Sequence, residues 1–386
     1  SPRMIPSFSL RHVTAGFTAV VVGYSSAIVI VIDLARKAGA NDDMIISWLL
    51  ALGLGMGVSC IIFSWLTKMP VVTAWSTPGA AFLIGNVGDY TLAESIGAFV
   101  VCALLSLATA QSTLLLNAIK RIPSSISSAL LAGILLPICL AVFVDVGNHP
   151  FIVFLYLAAY ILGSLFFARY LMLMLLALSI VVSYSLQGTI DIHFTPPIPV
   201  WVTPTFSLSA TIGLAIPLFI ITTLSQNLPG IAIHHAHGYT PQHKPILSGI
   251  ALIQLVLAPF GGFTFNLAAI TAALCMGKDA DPDKNQRYKA AIMAGCGYLL
   301  MGALASLVVV LFVAMPVVVV HLLAGLALLA TLKTSLAQSL RDEQHRHAAL
   351  VTFLCTASGF TFLTISSAVW GLLLGLILLF VERRQK

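Results

Sequence analysis

The chain has 386 residues, of which 59% are hydrophobic and 8% charged, with a mean hydropathy of +1.02. No single soluble core hides that much apolar surface, so a water-soluble globular protein is excluded and a polytopic membrane protein is implied. The net charge of +6 would point a soluble protein toward nucleic acid; here the placement of the cations along the chain carries the information, and no nucleic-acid partner is expected.

Ser1–Arg3 precede Met4 in the way a cloning remnant precedes a natural start, and no cleavable signal pattern follows. From there, apolar runs recur at the length a helix needs to cross a roughly 30 Å hydrocarbon layer. They divide into fourteen expected crossings, at about residues 12–36, 44–66, 70–85, 92–117, 123–143, 151–167, 170–188, 207–235, 244–258, 260–276, 288–313, 316–333, 347–363 and 366–381. With the N-terminus in the cytoplasm, seventeen of the nineteen Lys and Arg residues fall inside and only Arg36 and Lys37 outside. That asymmetry follows the positive-inside rule, and one miscounted crossing would scramble it.

The first crossing holds Asp33, the deepest of the acidic residues. The third, "PVVTAWSTPGAAFLIG", is too short to cross as a helix; it reaches across only if Pro70–Trp75 is extended and Thr77–Gly85 helical. Ser76 and Thr77 read as N-capping residues before a proline at the first helical position, followed by Gly79. Extended backbone is tolerated at membrane depth only where protein or a water-filled cavity covers it, so the break marks a site. The fourth crossing opens on a capping box, Thr91 to Glu94.

In the eighth crossing Gln226 and Asn227 stand just before Pro229–Gly230, an expected interruption. It ends in His234, His235, His237 and, beyond, His243, a cluster with no accompanying carboxylate or cysteine and therefore read as a cytoplasmic helix end without metal. The tenth crossing is the second short one, with Phe263, Phe265 and Asn266 at its break. The twelfth contains His321, the one histidine well inside an apolar run. Asp33 and His321 are the candidate proton-coupling groups, since an ionisable residue within the membrane is a functional candidate by default. The six cysteines lie in apolar segments without metal or disulfide spacing, and no cofactor is expected.

The third crossing recurs about 192 positions later: "PGAAFLIGNVGD" from Pro78 lies over "ITAALCMGKDAD" from Ile270, and at a nearly constant offset "IPSSISSALLAGILL" from Ile122 over "MPVVVVHLLAGLALL" from Met315. Two halves of seven crossings follow, and an odd number makes the repeat inverted. Inversion aims two half-helix N-termini at each other near the midplane, where backbone N–H groups and the helix dipoles favour an anion.

The stretches "PVVTAWSTPGAAFL", "SQNLPGIAI", "AAITAALC", "DPDKNQRY" and "LVTFLCTASG" resemble the benzoate:proton symporter (BenE) family of bacterial inner-membrane transporters, and the resemblance runs over essentially the whole chain. It implies the all-α fold of uracil and sulfate permeases, with fourteen transmembrane segments as a seven-plus-seven inverted repeat and half-strand, half-helix segments at positions three and ten. It also implies a core domain (12–117 and 205–313) and a gate domain (118–190 and 314–382), working by alternating access on benzoate or a similar aromatic carboxylate with a proton. Uracil permeases carry carboxylates in the eighth and tenth segments; here Gln226, Asn227 and Asn266 stand in those neighbourhoods, as suits an anionic ligand that fixed Glu would repel. The expected substrate site comprises Trp75, Ser76, Thr77, Gly79, Gln226, Asn227, Phe265 and Asn266, in a multi-pass chain with both termini cytoplasmic, monomeric or homodimeric in the bilayer. Another small anion or a nucleobase as solute, or an uncoupled anion channel, are the alternatives. No HExxH, GxSxG or Walker pattern supports an enzyme.

Overall fold

The computed structural model describes residues 7–385. Arg3, Met4 and Lys386, which entered the reading of the start and of the charge asymmetry, lie outside the described residues. Helix α1 (Leu10–Lys37) begins at Ser9, whose backbone N–H donates to His12 Nδ1 at 3.0 Å. Helix α2 (Asp42–Thr67) is capped by Asn41, which accepts from Met44 N at 2.9 Å, with Asp42 and Asp43 in the first turn where the dipole favours acids. It stops at Lys68 in a left-handed conformation (φ 54°), two residues before Pro70. Strand β1 (Thr73–Trp75) leads into helix α3 (Thr77–Ile84), and strand β2 (Phe265–Leu267) into α13 (Ile270–Leu274).

The other helices are α4 (Leu92–Gln111), α5 (Thr113–Lys120), α6 (Ser124–Val144), α7 (Pro150–Phe166), α8 (Leu171–Gln187), α9 (Leu208–Ala210), α10 (Ile216–Thr222), α11 (Leu228–Ala236), α12 (His243–Leu257), α14 (Tyr288–Ala303), α15 (Ala305–Val313), α16 (Val317–Ser339), α17 (Arg346–Ser358) and α18 (Ser367–Arg384). Among the described residues, eight helical stretches are long and apolar enough to span a membrane by themselves, and a ninth is the pair ending in α14 and α15, bent by 59°. The fold is all-helical and polytopic, with only short strand pairs.

Several expected elements differ in detail. The fourth crossing ends at Gln111 rather than 117, because Ser112 leaves helical geometry and caps the short α5, none of whose residues is buried. The expected interruption at Pro229–Gly230 is absent: Pro229 sits in the first turn of α11, where a missing N–H does no harm, and the irregularity comes just before it, as π-helical turns at Thr211–Ala215 and Thr223–Asn227. The thirteenth crossing stops at Ser358 and is followed by a small hairpin of β3 (Thr361–Phe362) and β4 (Ile365–Ser366).

Packing sorts the helices into two groups. One gathers α1, α2, α14 and both strand–helix breaks, with α4 against α12; the other gathers α6, α16, α17 and α18, with α7 beside α16 and α8 touching both α16 and α1. Small residues let the backbones approach, as suits helices that gain little from hydrophobic driving force in lipid: a Cβ on Gly53 would stand 2.7 Å from Gly302 Cα, and one on Gly133 2.9 Å from Phe353 O. Helix α7 exposes Phe154, Leu162, Leu165 and Phe166, an apolar face suited to lipid.

Candidate functional site

Strands β1 and β2 pair antiparallel with Thr73 opposite Leu267, Ala74 opposite Asn266 and Trp75 opposite Phe265. Bonds from Ser76 N to Thr264 O (3.0 Å) and from Ala268 N to Val72 O (2.9 Å) extend the ladder at both ends. The extended backbone that membrane depth forbids in isolation is therefore satisfied by its counterpart. Thr73 anchors the ladder to α2: its hydroxyl meets Ser59 Oγ at 2.7 Å and donates to Met56 O at 3.1 Å.

Helices α3 and α13 start at opposite ends of this ladder and face each other across it. Ser76 alone is the N-cap of α3, so Thr77 is the first helical residue and Pro78 the second, one position later than the capping pair expected from sequence. Ser76 Oγ accepts from Gly79 N at 3.0 Å and Ser76 O from Ala80 N at 2.8 Å. Pro78 has no N–H, so of the first turn only the Thr77 N–H is left uncommitted, beside its half-buried hydroxyl, which makes no hydrogen bond among the described residues. The opposing α13 is five residues long and begins at Ala269, which has no side chain to cap it. The dipole of so short a helix is small, and the expected symmetric pair of helix ends is in fact lopsided toward α3.

The π turn at Thr223–Asn227 ties the two breaks together. Thr222 Oγ1 lies 3.0 Å from Ser76 Oγ, and Asn227 Oδ1 accepts from Leu267 N at 3.1 Å. Gln226, between them, is half-buried and makes no side-chain hydrogen bond among the described residues. Gly79 permits this approach: a Cβ there would stand 2.7 Å from both Leu218 Cδ1 and Ser76 Oγ.

Asn266 is 0% exposed, and neither its amide oxygen nor its amide nitrogen has a hydrogen-bond partner among the described residues. Thr264 Oγ1 and Tyr24 Oη are in the same condition. Buried polar groups are almost always paired, so unpaired ones on a break in the backbone need an explanation. The aromatics are packed: Trp75 lies against Tyr24 with ring centroids 5.0 Å apart, and Phe265 fills the space that a side chain on Gly55 would need. Phe263 belongs to a cluster with Trp48 and Phe99.

Thr222, Tyr24 and Thr264 escaped the sequence reading. Thr222 was detectable only as a hydroxyl one turn before Gln226, and Tyr24 lies some fifty residues from the strand it touches.

Asp33 and His321, far apart in sequence, line one cavity of about 280 Å³ between α1, α3, α6, α16 and the facing ends of α17 and α18. Asp33 pairs with Lys37 at 3.1 Å, and His321 Nδ1 lies 3.5 Å from Asp145. At the other end of the molecule His234 donates from Nε2 to Pro70 O at 2.7 Å, holding the approach to β1. His12 Nε2 lies 2.7 Å from Asp281 Oδ2, and this contact, second to the backbone N–H of Asp283, holds the Asp281 carboxyl below the usual carboxylate range.

The fold of the chain has counterparts among solved structures. The chain superimposes on SLC26A9 with a TM-score of 0.64 at 14% identity, covering 96% of this chain and 65% of that one, and so spans about two thirds of that protein's length. It superimposes on the transmembrane domain of the cyanobacterial bicarbonate transporter BicA with a TM-score of 0.61 at 16% identity, covering 96% and 97%. The molecule thus has the fold of these transporters. The sequence matches the family described as BenE, benzoate membrane transport protein, over residues 6–381, and the chain belongs to that family of membrane transporters rather than to any class of enzyme. It is 41% identical to the inner membrane protein YdcO of Escherichia coli (94% of this chain, 93% of the relative) and 37% identical to the benzoate membrane transport protein of Acinetobacter baylyi (98% and 97%).

Proposed function

We propose that the protein is a secondary active transporter that imports benzoate, or a similar aromatic carboxylate, together with a proton. It works by alternating access in the bacterial inner membrane, with both termini in the cytoplasm. The observation that carries this reading is Asn266: a fully buried amide with both polar atoms unpaired, set in the strand ladder between the two half-helices. Its NH₂ group, the N–H and hydroxyl of Thr77, and the amides of Gln226 and Asn227 form a set of neutral donors for a carboxylate, with no fixed acid to repel it. Trp75 and Phe265, one residue out of phase with Asn266 on the ladder, back the site with packed apolar surface. Ser76 and Gly79 hold the shape of the helix start.

In this reading the chain crosses fourteen times as an inverted seven-plus-seven repeat. Support comes from the ladder itself. The offset of 192 that aligns Pro78 with Ile270 also aligns Ala74 with Asn266, and these two residues are Cα partners at the ladder's centre, where a pseudo-twofold axis would pass. Gly133 and Gly325 are equivalent by the same offset and lie on α6 and α16, which pack closely on each other. The core domain (12–117 and 205–313) carries the site and moves as a rigid body against the gate domain (118–190 and 314–382); the dense packing of α2 with α14 and of α6 with α16 supports this division.

The test is uptake of labelled benzoate into proteoliposomes. An inward proton gradient is expected to drive accumulation, and Thr77→Val or Gln226→Ala to lower it about tenfold or more, the loss of one charge-assisted hydrogen bond. Equal uptake with and without the gradient would remove symport and leave facilitated diffusion. Competition by nucleobases but not by aromatic acids would overturn the substrate class.

A further inference from the structure

We propose that the cavity shared by α1, α3, α6, α16, α17 and α18 is a second, outer binding site, at which Lys37 receives the substrate carboxylate and Asp33 takes up the accompanying proton; this rests on the transport reading above. The cavity measures about 280 Å³, at the lower end of small-ligand pockets and suited to a single ring. Its wall is apolar along one side, with Phe82 and Ile84 of α3 facing Ile134, Pro137 and Ile138 of α6.

The charged groups make the site specific. Three lining residues are ionisable, namely Asp33 and Lys37 from α1 and His321 from α16; α3, α6, α17 and α18 contribute none. Asp145 stands behind His321 at 3.5 Å. In the proposed topology Lys37 is one of only two cations on the outer face, against seventeen inside. A cation in the last turn of a helix complements the dipole, but Arg36 occupies that turn as well and does not line the cavity. Lys37 is the more accessible member of its pair, with its side chain 44% exposed against 18% for Asp33.

The chemistry of the pair links anion to proton. A carboxylate entering the cavity competes with Asp33 for the Lys37 ammonium. Once it binds there, Asp33 has lost its counter-ion and gained a like charge as neighbour, and both changes favour its protonated form. A proton from the outer water then forms the O–H bond on an Asp33 carboxyl oxygen. Lys37 keeps its three hydrogens and the substrate stays ionised. One anion and one proton thus enter together, and the net charge of the cavity is unchanged. His321 lines the same space, so its contribution must be separated from that of Asp33.

Two measurements test the site. Acylation of Lys37 in the purified protein by a water-soluble N-hydroxysuccinimide ester, read by mass spectrometry of its peptide, is expected to slow about fivefold or more in saturating benzoate and to be unaffected by neutral benzamide. This readout does not depend on transport. In proteoliposomes, Lys37→Met should raise KM for benzoate about tenfold and Lys37→Arg restore most of the loss. Between about pH 7.5 and about pH 5.5 the wild-type and His321→Gln proteins should bind benzoate more tightly as pH falls, while Asp33→Asn should show only the change due to benzoate itself. Unprotected Lys37 with an unchanged KM in Lys37→Met overturns the outer site and leaves the transport reading standing. Protection of Lys37 in a wild-type protein that moves no benzoate supports the site and overturns the transport reading. A pH dependence in Asp33→Asn equal to that of the wild type removes Asp33 as the proton acceptor. Should Lys37→Met fail to fold, protection measured in Asp33→Asn and the wild type decides the question.

Discussion

Asn266 occupies an unusual position for a polar residue, because its burial is complete while its amide is unpaired among the described residues. Leaving a buried polar group without a partner costs about 1–3 kcal/mol, a cost retained where the group has a task to perform. Asn266→Leu, nearly equal in volume, is therefore expected to raise the thermal stability of the substrate-free protein by about 1 kcal/mol or more, while uptake falls at least tenfold. A purely structural amide would lower stability without a selective effect on uptake. Ser76 presents the opposite case, a residue whose hydroxyl is fully engaged with Gly79 N and Thr222 Oγ1. Ser76→Ala should destabilise by about 1 kcal/mol, and the double variant with Thr222→Ala by less than the sum of the two, because both remove the same bond. A double-mutant cycle by chemical denaturation in detergent measures that coupling.

At the scale of elements, the π turn at Thr223–Asn227 sets the site's geometry. A π turn is one extra residue in an α-helix, and here that residue lets Thr222 reach Ser76 while Asn227 reaches the far end of β2. Deleting Ser225 restores a regular helix and rotates one of the two contacts away by about 100°. The expected outcome is a protein with near wild-type helix content by circular dichroism and no benzoate uptake. Gly79 sets a second limit. Gly79→Ala places a methyl group against Ser76 Oγ and Leu218, and overpacking of this kind costs about 1–3 kcal/mol. Its uptake defect should exceed that of Ala80→Gly, one residue further from the strand ladder. The bend of 59° at Leu304 is a third departure from regular helix, in a segment that reads as one continuous apolar run.

For the whole molecule, the contact between His12 at the start of α1 and Asp281 after α13 joins residues 269 positions apart in the chain. Because the Asp281 carboxyl is held below its usual range, its contribution is fully present above the unfolded value of about 3.9 and is lost as pH falls through the lower folded value. Asp281→Asn should thus lower the melting temperature at about pH 6 and differ progressively less from wild type below about pH 4. Most of the architecture was legible in the order of residues. Apolar runs of membrane length, the short "TAWSTPGAAFLIG", and its counterpart 192 positions on are local patterns, and local patterns survive in a linear text. The capping box at Thr91 and Glu94 was equally plain, and the two residues bond reciprocally at 3.2 Å. By itself the sequence determined that this is a polytopic membrane protein with two short broken segments bearing hydroxyls and amides, because hydrophobic length, proline placement and capping chemistry act within a few residues of one another. Only the tertiary structure decided that the breaks pair with each other, that Ser76 spends its cap on its own helix, that Asn266 is left unpaired, and that Asp33, Lys37 and His321 share a cavity. Those outcomes depend on which surfaces meet across more than a hundred residues of chain, and that is settled by packing and hydrogen-bond satisfaction over the whole fold.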